Sequence, residues 1–376
     1  MKPSRRNALT LTAGLVAIPS LAAAAPDALP SRAQAIAAKA LTRIAFGSCA
    51  KQSKDQPIWE AVLAAKPDLF IFLGDNVYLD TRDPNEMRAK YAQLAEKPGF
   101  KKLRETTPIL AVWDDHDFGE NDAGSDYPMK EEARKIFCDF WGEAAASPRR
   151  SRNGIYSAYL FGPVGKRTQI ILPDLRFNRS EISSLDLGGK SYSDWEKELA
   201  AAGKPVPGPY ARNPELKASM LGEDQWRWLE EQLRLPADIR ILASSLPVVA
   251  DFPGWEAWIN YAQDHQRLIE TIRKTKANGL ICLSGDTHYG EVSRLDANVP
   301  YPLWDFTSSG LTEVWPVLPP NALRVGQAYR ARNFGLIEIG WDKVGGPHLR
   351  VDIRGEQGQV ALSQSVDLTS LRVGAA

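Results

Sequence analysis

The sequence predicts an α/β fold, a sheet of buried strands with helices packed on its faces. Three observations carry that expectation. Short, continuous apolar runs recur along the chain, as strands covered on both faces require. Segments with apolar residues at helical spacing lie between them, and the two kinds alternate in strand–helix–strand order.

Residues 43–46 form a short strand that runs into Gly47-Ser48-Cys49. Residues 58–65 carry Ile58, Val62 and Leu63 at helical spacing, and Pro67-Asp68 stops them. Residues 69–73 are wholly apolar between Asp68 and Gly74, and a charged helical stretch then covers residues 85–103. Residues 108–113 give another buried strand, ending at Asp114. Tyr156, Ala158 and Leu160 alternate with other residues, and Gln169-Ile170-Ile171-Leu172 follows. Residues 177–215 are rich in Gly, Ser and Pro and read as a long irregular insertion, the kind that shapes a binding mouth. Residues 223–233 are a helix with Trp226, Leu229 and Leu233 on one stripe, and 239–243 and 280–283 are two more strands. Residues 334–366 alternate in strand fashion. Repeats, low-complexity tracts and heptads are absent from the sequence.

The chain has 376 residues, with Lys plus Arg at 46 and Asp plus Glu at 46. That balance gives no bulk electrostatic case for nucleic acid or an anionic membrane as partner. Three cysteines are too few for a disulfide framework, and with four histidines any metal site must rely mostly on oxygen ligands. Lys2, Arg5 and Arg6, an apolar run over 8–21 and the small residues 22–25 read as a signal peptide covering 1–25. Ser4-Arg5-Arg6 before Ala8-Leu9 resembles a twin-arginine export signal, so a periplasmic or secreted protein is expected. Residues 26–40 read as a linker with a short Ala-rich helix, and 41–370 as a single domain.

Four of the apolar strands end in potential metal ligands. Residues 44–46 lead to Cys49, and 70–73 lead to Asp75, Asn76 and Tyr78. Residues 109–113 lead to Asp114, Asp115, His116 and Asp117, with Asn121 and Asp122 beyond, and 280–283 lead to Asp286 and His288. One strand ending in Gly-Asp is ordinary turn chemistry, but four together are not. Side chains converge outside the carboxyl ends of α/β strands, and carboxylates packed that closely need a cation between them. Thiolate and phenolate suit a strongly Lewis-acidic transition metal, whereas carboxylates and amides suit Ca²⁺, Mg²⁺ or Mn²⁺. Clustered metals of this kind serve phosphoryl transfer.

Phe46-Gly47-Ser48-Cys49, Gly74-Asp75-Asn76-Val77-Tyr78, Trp113-Asp114-Asp115-His116-Asp117 with Asn121-Asp122, and Gly285-Asp286-Thr287-His288 resemble the PhoD-like alkaline phosphatases of the metallophosphoesterase class. Asp174-Leu175-Arg176 and Met220-Leu221-Gly222-Glu223-Asp224-Gln225-Trp226 add to the resemblance, which spans residues 43–310. It implies a four-layer α-β-β-α sandwich and hydrolysis of phosphomonoesters or phosphodiesters, with Fe³⁺ and Ca²⁺ as cofactors and Mn, Mg or Zn as alternatives. On that resemblance Asp75 bridges two metals, and Tyr78, Cys49 and His288 hold the iron. Asp115, Asp286 and Asn121 hold the second metal, His116 faces the substrate as acid or transition-state stabiliser, and Arg176 meets the phosphate. The partner implied is a small phosphate ester, with a monomer and no integral membrane contact beyond the export machinery. The N-terminal β-sandwich-like extension of many PhoD-like proteins has no counterpart here, so a more open pocket is expected.

Blander readings stand beside these. Cys49 alone would be a buried small hydrophobe, Tyr78 a core aromatic, and Asp114 and Asp117 caps of the following turn. Cys138 and Cys282 read as core residues, His265 and His348 as surface residues, and Arg149, Arg150 and Arg152 as a solvated basic loop. Trp255, Trp258 and Tyr261 read as an aromatic packing face rather than a wall of the mouth. The competing functions are a phospholipase D-like hydrolase of lipid headgroups and a non-catalytic Ca²⁺-stabilised binding protein. The second gives Cys49, Tyr78 and His288 no reason to join the carboxylates.

Overall fold

The computed structural model describes residues 25–374 apart from 205, 216, 252–253, 316–317 and 343–345. The segment read as a signal peptide lies outside the described residues, save its last residue. Twelve strands are described: β1 (Arg43–Gly47), β2 (Leu69–Leu73), β3 (Ile109–Val112), β4 (Ser157–Phe161), β5 (Thr168–Leu172) and β6 (Ile239–Ala243) in the first half of the order. β7 (Leu280–Ser284), β8 (Gly290–Leu295), β9 (Leu303–Ser308), β10 (Asn333–Gly340), β11 (His348–Gly355) and β12 (Val360–Asp367) complete it.

The strands form two six-stranded sheets, ordered β12-β11-β10-β1-β2-β3 and β4-β5-β6-β7-β9-β8. In the first, β1, β2 and β3 are parallel, and β10 to β12 form an antiparallel meander joined to β1. In the second, β5, β6, β7 and β9 are parallel, with β4 and β8 antiparallel at the edges. β2, β5, β6 and β7 are buried at every position, which is why each reads as an unbroken apolar or mixed run without a polar face.

The sheets meet where β9 lies against β1 and β10. Helices close the two outer faces, giving the four-layer sandwich. Trp59 of the helix Ile58–Ala64 packs 5.7 Å from Phe70 and from Phe72 of β2, and Phe100 of the helix Pro98–Thr106 packs 5.8 Å from Phe72. On the second sheet, Gln169 of β5 donates to the Gln232 carbonyl of the helix Gly222–Leu233, which packs on the helix Ala262–Thr275. The segment read as a linker is tied along β4: Asp27 N–H donates to Ala158 O at 2.8 Å, and Gly162 N–H to Ala37 O at 2.8 Å. No helix among the described residues is long and apolar enough to cross a membrane.

The structure corrects four expectations. The stretch 85–103 is two helices, Pro84–Ala95 and Pro98–Thr106, because Pro98 cannot continue a helix but starts one well, with Lys97 extended before it. The insertion 177–215 contains the helix Tyr192–Ala201, capped by Ser191. Tyr192, Trp195 and Leu199 share one side of that helix but are only half-buried, and the Gly and Ser residues just before it make the stretch read as loop. β8 and β9 were hidden by buried polar residues. Glu291 and Ser293 of β8 are satisfied by Asn321, and Asp305 of β9 accepts from Val248 N–H, Val249 N–H and the Ser284 hydroxyl. Finally, Arg149 is not in a solvated loop. It is 3% exposed, pairs with Glu143 at 2.5 Å, and donates to Ile155 O and Ala111 O.

Burial alone would raise the Glu143 carboxyl, but Arg149 outweighs it and holds Glu143 below the usual carboxylate range. Arg149→Ala takes the guanidinium from that buried carboxylate, which keeps only the Ser147 hydroxyl, and a donor from two carbonyls, so it should cost about 3–5 kcal/mol in urea unfolding at neutral pH. A depressed folded pKa stabilises above the unfolded value, so the deficit should shrink as pH falls below about 4. A neutral midpoint within error of wild type would refute the assignment.

Candidate metal centre

The site is built where parallel strands of both sheets end. Cys49 follows β1, Asp75 and Tyr78 follow β2, and the short helix Asp115–Phe118 after β3 carries Asp115, His116 and Asp117. Asp286 and His288 follow β7, and Ser309 follows β9. Two glycines let these ends approach. A Cβ at Gly74 would lie 2.6 Å from Asp114 Cβ, and one at Gly285 would lie 2.7 Å from Ser48 Oγ. The chain then turns sharply: Cys49 (φ 63°), Asp75 (φ 52°), Asp122 (φ 54°), Asp286 (φ 71°) and His288 (φ 61°) all take the left-handed conformation. L-residues enter it at a cost of about 1–2 kcal/mol each, so its concentration here marks a place where side-chain direction outweighs backbone comfort.

Cys49 Sγ lies 3.5 Å from Asp75 Oδ2 and 3.1 Å from Ser309 Oγ, and the Tyr78 hydroxyl lies 3.2 Å from His288 Nε2. Cys49, Asp75 and His288 offer donor atoms within 4.8 Å of one another, and Asp75, Asp115 and His116 do the same. Asp75 belongs to both groups. His116 packs its ring 4.1 Å from that of Tyr78 and holds Asp80 through Nδ1 at 2.6 Å. Asp286 and Asn121 line the same cleft, but the Asp286 carboxylate joins neither close group; its carbonyl is 3.8 Å from Cys49 Sγ. Asn121 sits at the rim, its amide donating to Asp122 at 2.6 Å.

Arg176 is a correction. Its side chain is fully buried, bonded to Asp114 at 2.5 Å and forked onto both Glu256 oxygens at 3.0 Å, and it does not line the cleft. A guanidinium with its donors spent on two buried carboxylates is a support beneath the site, not a phosphate contact. Asp114 and Asp117 form the capping box of the short helix, and Asp117 also accepts from the Asp75 and Asn76 amides. Trp258 and Tyr261 are packed as expected, whereas Trp255 lines the cleft. Cys138 and Cys282 are buried free thiols, and His265 and His348 are half-buried away from the cleft.

Sequence reasoning missed Glu256, which joins Asp115 and Asp122 in a third close group, and Ser309, whose hydroxyl also accepts the His288 amide at 2.9 Å. Glu256 stands in a loop with no apolar strand before it, so no strand-end signal marks it. Asp80, missed as well, lies only two positions past Tyr78, and its role, holding His116, shows only once the turn after β2 meets the short helix after β3.

Burial, then Asp115, pushes the Asp75 carboxyl up, and burial, then Asp114 and Glu256, pushes Asp286 up. Burial and Asp75 raise the Cys49 thiol, and burial raises the Tyr78 phenol. Burial lowers His288 to about 4. Burial also works against a charged His116, but Asp75, Asp115 and Asp80 outweigh it and push His116 up to about 11. Without a cation, the cluster balances its charge by holding protons. Asp75 Oδ1 and Asp115 Oδ1 are buried with no hydrogen-bond partner, and a carboxylate oxygen left so is costly unless a cation meets it. The donor set of thiol, phenol, imidazole and carboxylates fits a site for metals.

The PhoD-like phosphatase model matches residues 44–332. Alkaline phosphatase D of Bacillus subtilis (strain 168) is 23% identical over 288 residues, 67% of this chain and 46% of that protein. The chain thus spans about half the length of the curated relative it matches. A solved structure of PhoD superposes with a TM-score of 0.64 and 16% identity, covering 94% of this chain and 73% of that one, a likeness of fold.

If protons stand in for cations, returning metal to chelator-treated protein should release protons and raise the melting temperature with metal concentration. The gain expected is about 2.7 kcal/mol at a hundred times Kd. A melting temperature indifferent to added metal, with no proton release, would rule the fit out.

Proposed function

The chain belongs to the PhoD-like phosphatase family, and on that premise we propose that it is an exported, metal-dependent hydrolase of phosphoric esters. The observation that supports this most is the convergence of donors from both sheets on Asp75, whose buried Oδ1 has no hydrogen-bond partner. Cys49, Tyr78, His288 and Asp75 would hold Fe³⁺, which thiol and phenol favour, and Asp75, Asp115, Asp286 and Asn121 would hold Ca²⁺. Metals bound there would screen the phosphoryl oxygens and acidify a water.

The chain's own residues supply the rest. Asp80 holds His116 through Nδ1 and leaves Nε2 to pass a proton to the departing ester oxygen. The Tyr78 ring fixes the plane of the imidazole. Arg176 holds Asp114 and Glu256 in place beneath the floor, so that Asp115 keeps its position. Export rests on the basic start and apolar run of the first residues, with the twin-arginine pair as the route.

Asp75→Asn should lose most metal and most activity together. His116→Ala should keep its metal while turnover falls about 10²- to 10⁴-fold. Metal analysis beside phosphomonoester and phosphodiester assays checks both, and normal metal-dependent turnover in the two variants would remove these roles. The protein as purified should show a visible charge-transfer band that Tyr78→Phe abolishes. A colourless, fully active enzyme would count against iron.

A further inference from the structure

The cleft over the candidate metal centre has two unlike parts. Its floor is carboxylate and imidazole, whereas its upper wall is aromatic. Ring centroids run 6.2 Å from His288 to Trp315, 6.0 Å from Trp315 to Trp255, and 5.7 Å from Trp255 to Tyr192. Trp315 is 40% exposed, and Trp255 and Tyr192 are half-buried, so the wall keeps apolar surface open to solvent. Three separate segments contribute to it: the helix of the insertion, the loop before Trp258, and the segment after β9.

The wall is held in place by backbone. Tyr210 N–H donates to Gly254 O at 2.9 Å, and a Cβ at Gly208 would lie 2.0 Å from that same oxygen, so the insertion is seated directly on the Trp255 loop. The cleft is about 250 Å³, room for a phosphoryl group and one ring rather than a long chain. None of the described residues lining it is Lys or Arg, and Asp122 and Glu256 stand at its side. A second anionic group on the substrate would therefore find no Lys or Arg in the lining to pair with.

We propose that this cleft selects phosphoric esters bearing an uncharged, planar aromatic group close to phosphorus, seated against Trp315 and Trp255. The proposal rests on the phosphoester reading of the metal centre and deepens it. Ring-on-ring contact favours a planar group over a saturated one of similar size by about two- to tenfold. Carboxylation of the ring removes that advantage, because a ring carboxylate would leave water for a wall whose lining offers it no Lys or Arg.

The test compares benzyl, cyclohexylmethyl, 4-carboxybenzyl and glycerol phosphates with the metal-loaded, full-length protein. Benzyl alcohol is modestly more acidic than cyclohexylmethanol, so the share of the benzyl preference that the tryptophan variants remove is what reports binding. The kcat/KM for benzyl phosphate should exceed that for cyclohexylmethyl phosphate about fivefold and those for the other two by more. Trp315→Ala and Trp255→Ala should bring the benzyl to cyclohexylmethyl ratio close to one, and Trp315→Phe should keep most of it. Equal kcat/KM for benzyl and cyclohexylmethyl phosphate in the wild type overturns the proposal, as does an alanine variant that slows every ester equally. Binding of benzylphosphonate, followed by quenching of tryptophan fluorescence, reads the wall without turnover. Quenching that Trp315→Ala removes, beside no hydrolysis of any ester, keeps the wall and sinks the phosphatase reading. No quenching in the wild type, beside normal hydrolysis, does the reverse.

Discussion

Seven carboxyl groups, Asp75, Asp114, Asp115, Asp117, Asp122, Glu256 and Asp286, gather around one cleft, against the guanidiniums of Arg176 and Arg179 and the imidazole of His116. Like charges at this density in a poorly solvated volume repel strongly, and the surroundings are organised to spend or offset each one. Asp117 is spent on the amides of Asp75, Asn76 and Asp114. Asp114 and Glu256 are neutralised from below by Arg176, and Glu256 also by Arg179. Asp75 Oδ1 and Asp115 Oδ1, like Asp114 Oδ2, are left without a hydrogen-bond partner, and the first two, within the close donor groups, point to cations as the missing charge.

That demand explains the backbone. A strand delivers side chains alternately to its two faces, and none of those directions points past its end. Cys49, Asp75, Asp286 and His288 reach the cleft because the chain leaves the strand in the left-handed conformation, with Gly74 and Gly285 permitting the close approach of neighbouring ends. The packed double sheet is rigid enough to hold such residues against their local preference. Its buried strands β2, β5, β6 and β7 supply the apolar area that offsets the strain.

Much of the fold was legible because burial on both faces writes a plain signal. The strands at 69–73 and 280–283 are apolar throughout, and each ends where its polar cluster begins, while 239–243 is apolar but for Arg240. The helix Tyr192–Ala201 fully buries nothing and sits among Gly, Ser and Pro residues, and β8 and β9 carry buried polar residues whose partners lie on other segments, so neither stood out. Around the site, the thiol, phenol, imidazoles and most carboxylates near recognised strand ends were found, whereas Ser309, directly after the unrecognised β9, and the loop residues Glu256 and Asp80 were not. Glu256, Ser309 and Asp80 acquire their meaning from segments far away in the chain.

The sequence by itself determined the α/β class and the family, and it put Cys49, Asp75, Tyr78, Asp115, His116, Asp286 and His288 forward as one set, because strand ends and residue types are local properties. Tertiary structure alone decided what each residue faces. Arg176 turned out to be a buried support with its donors already engaged, Arg149 an interior ion pair, and Trp255 part of a wall shared with Trp315 and Tyr192. Direction, burial and partnership depend on how two sheets and an insertion come together, and no local run of residues encodes that.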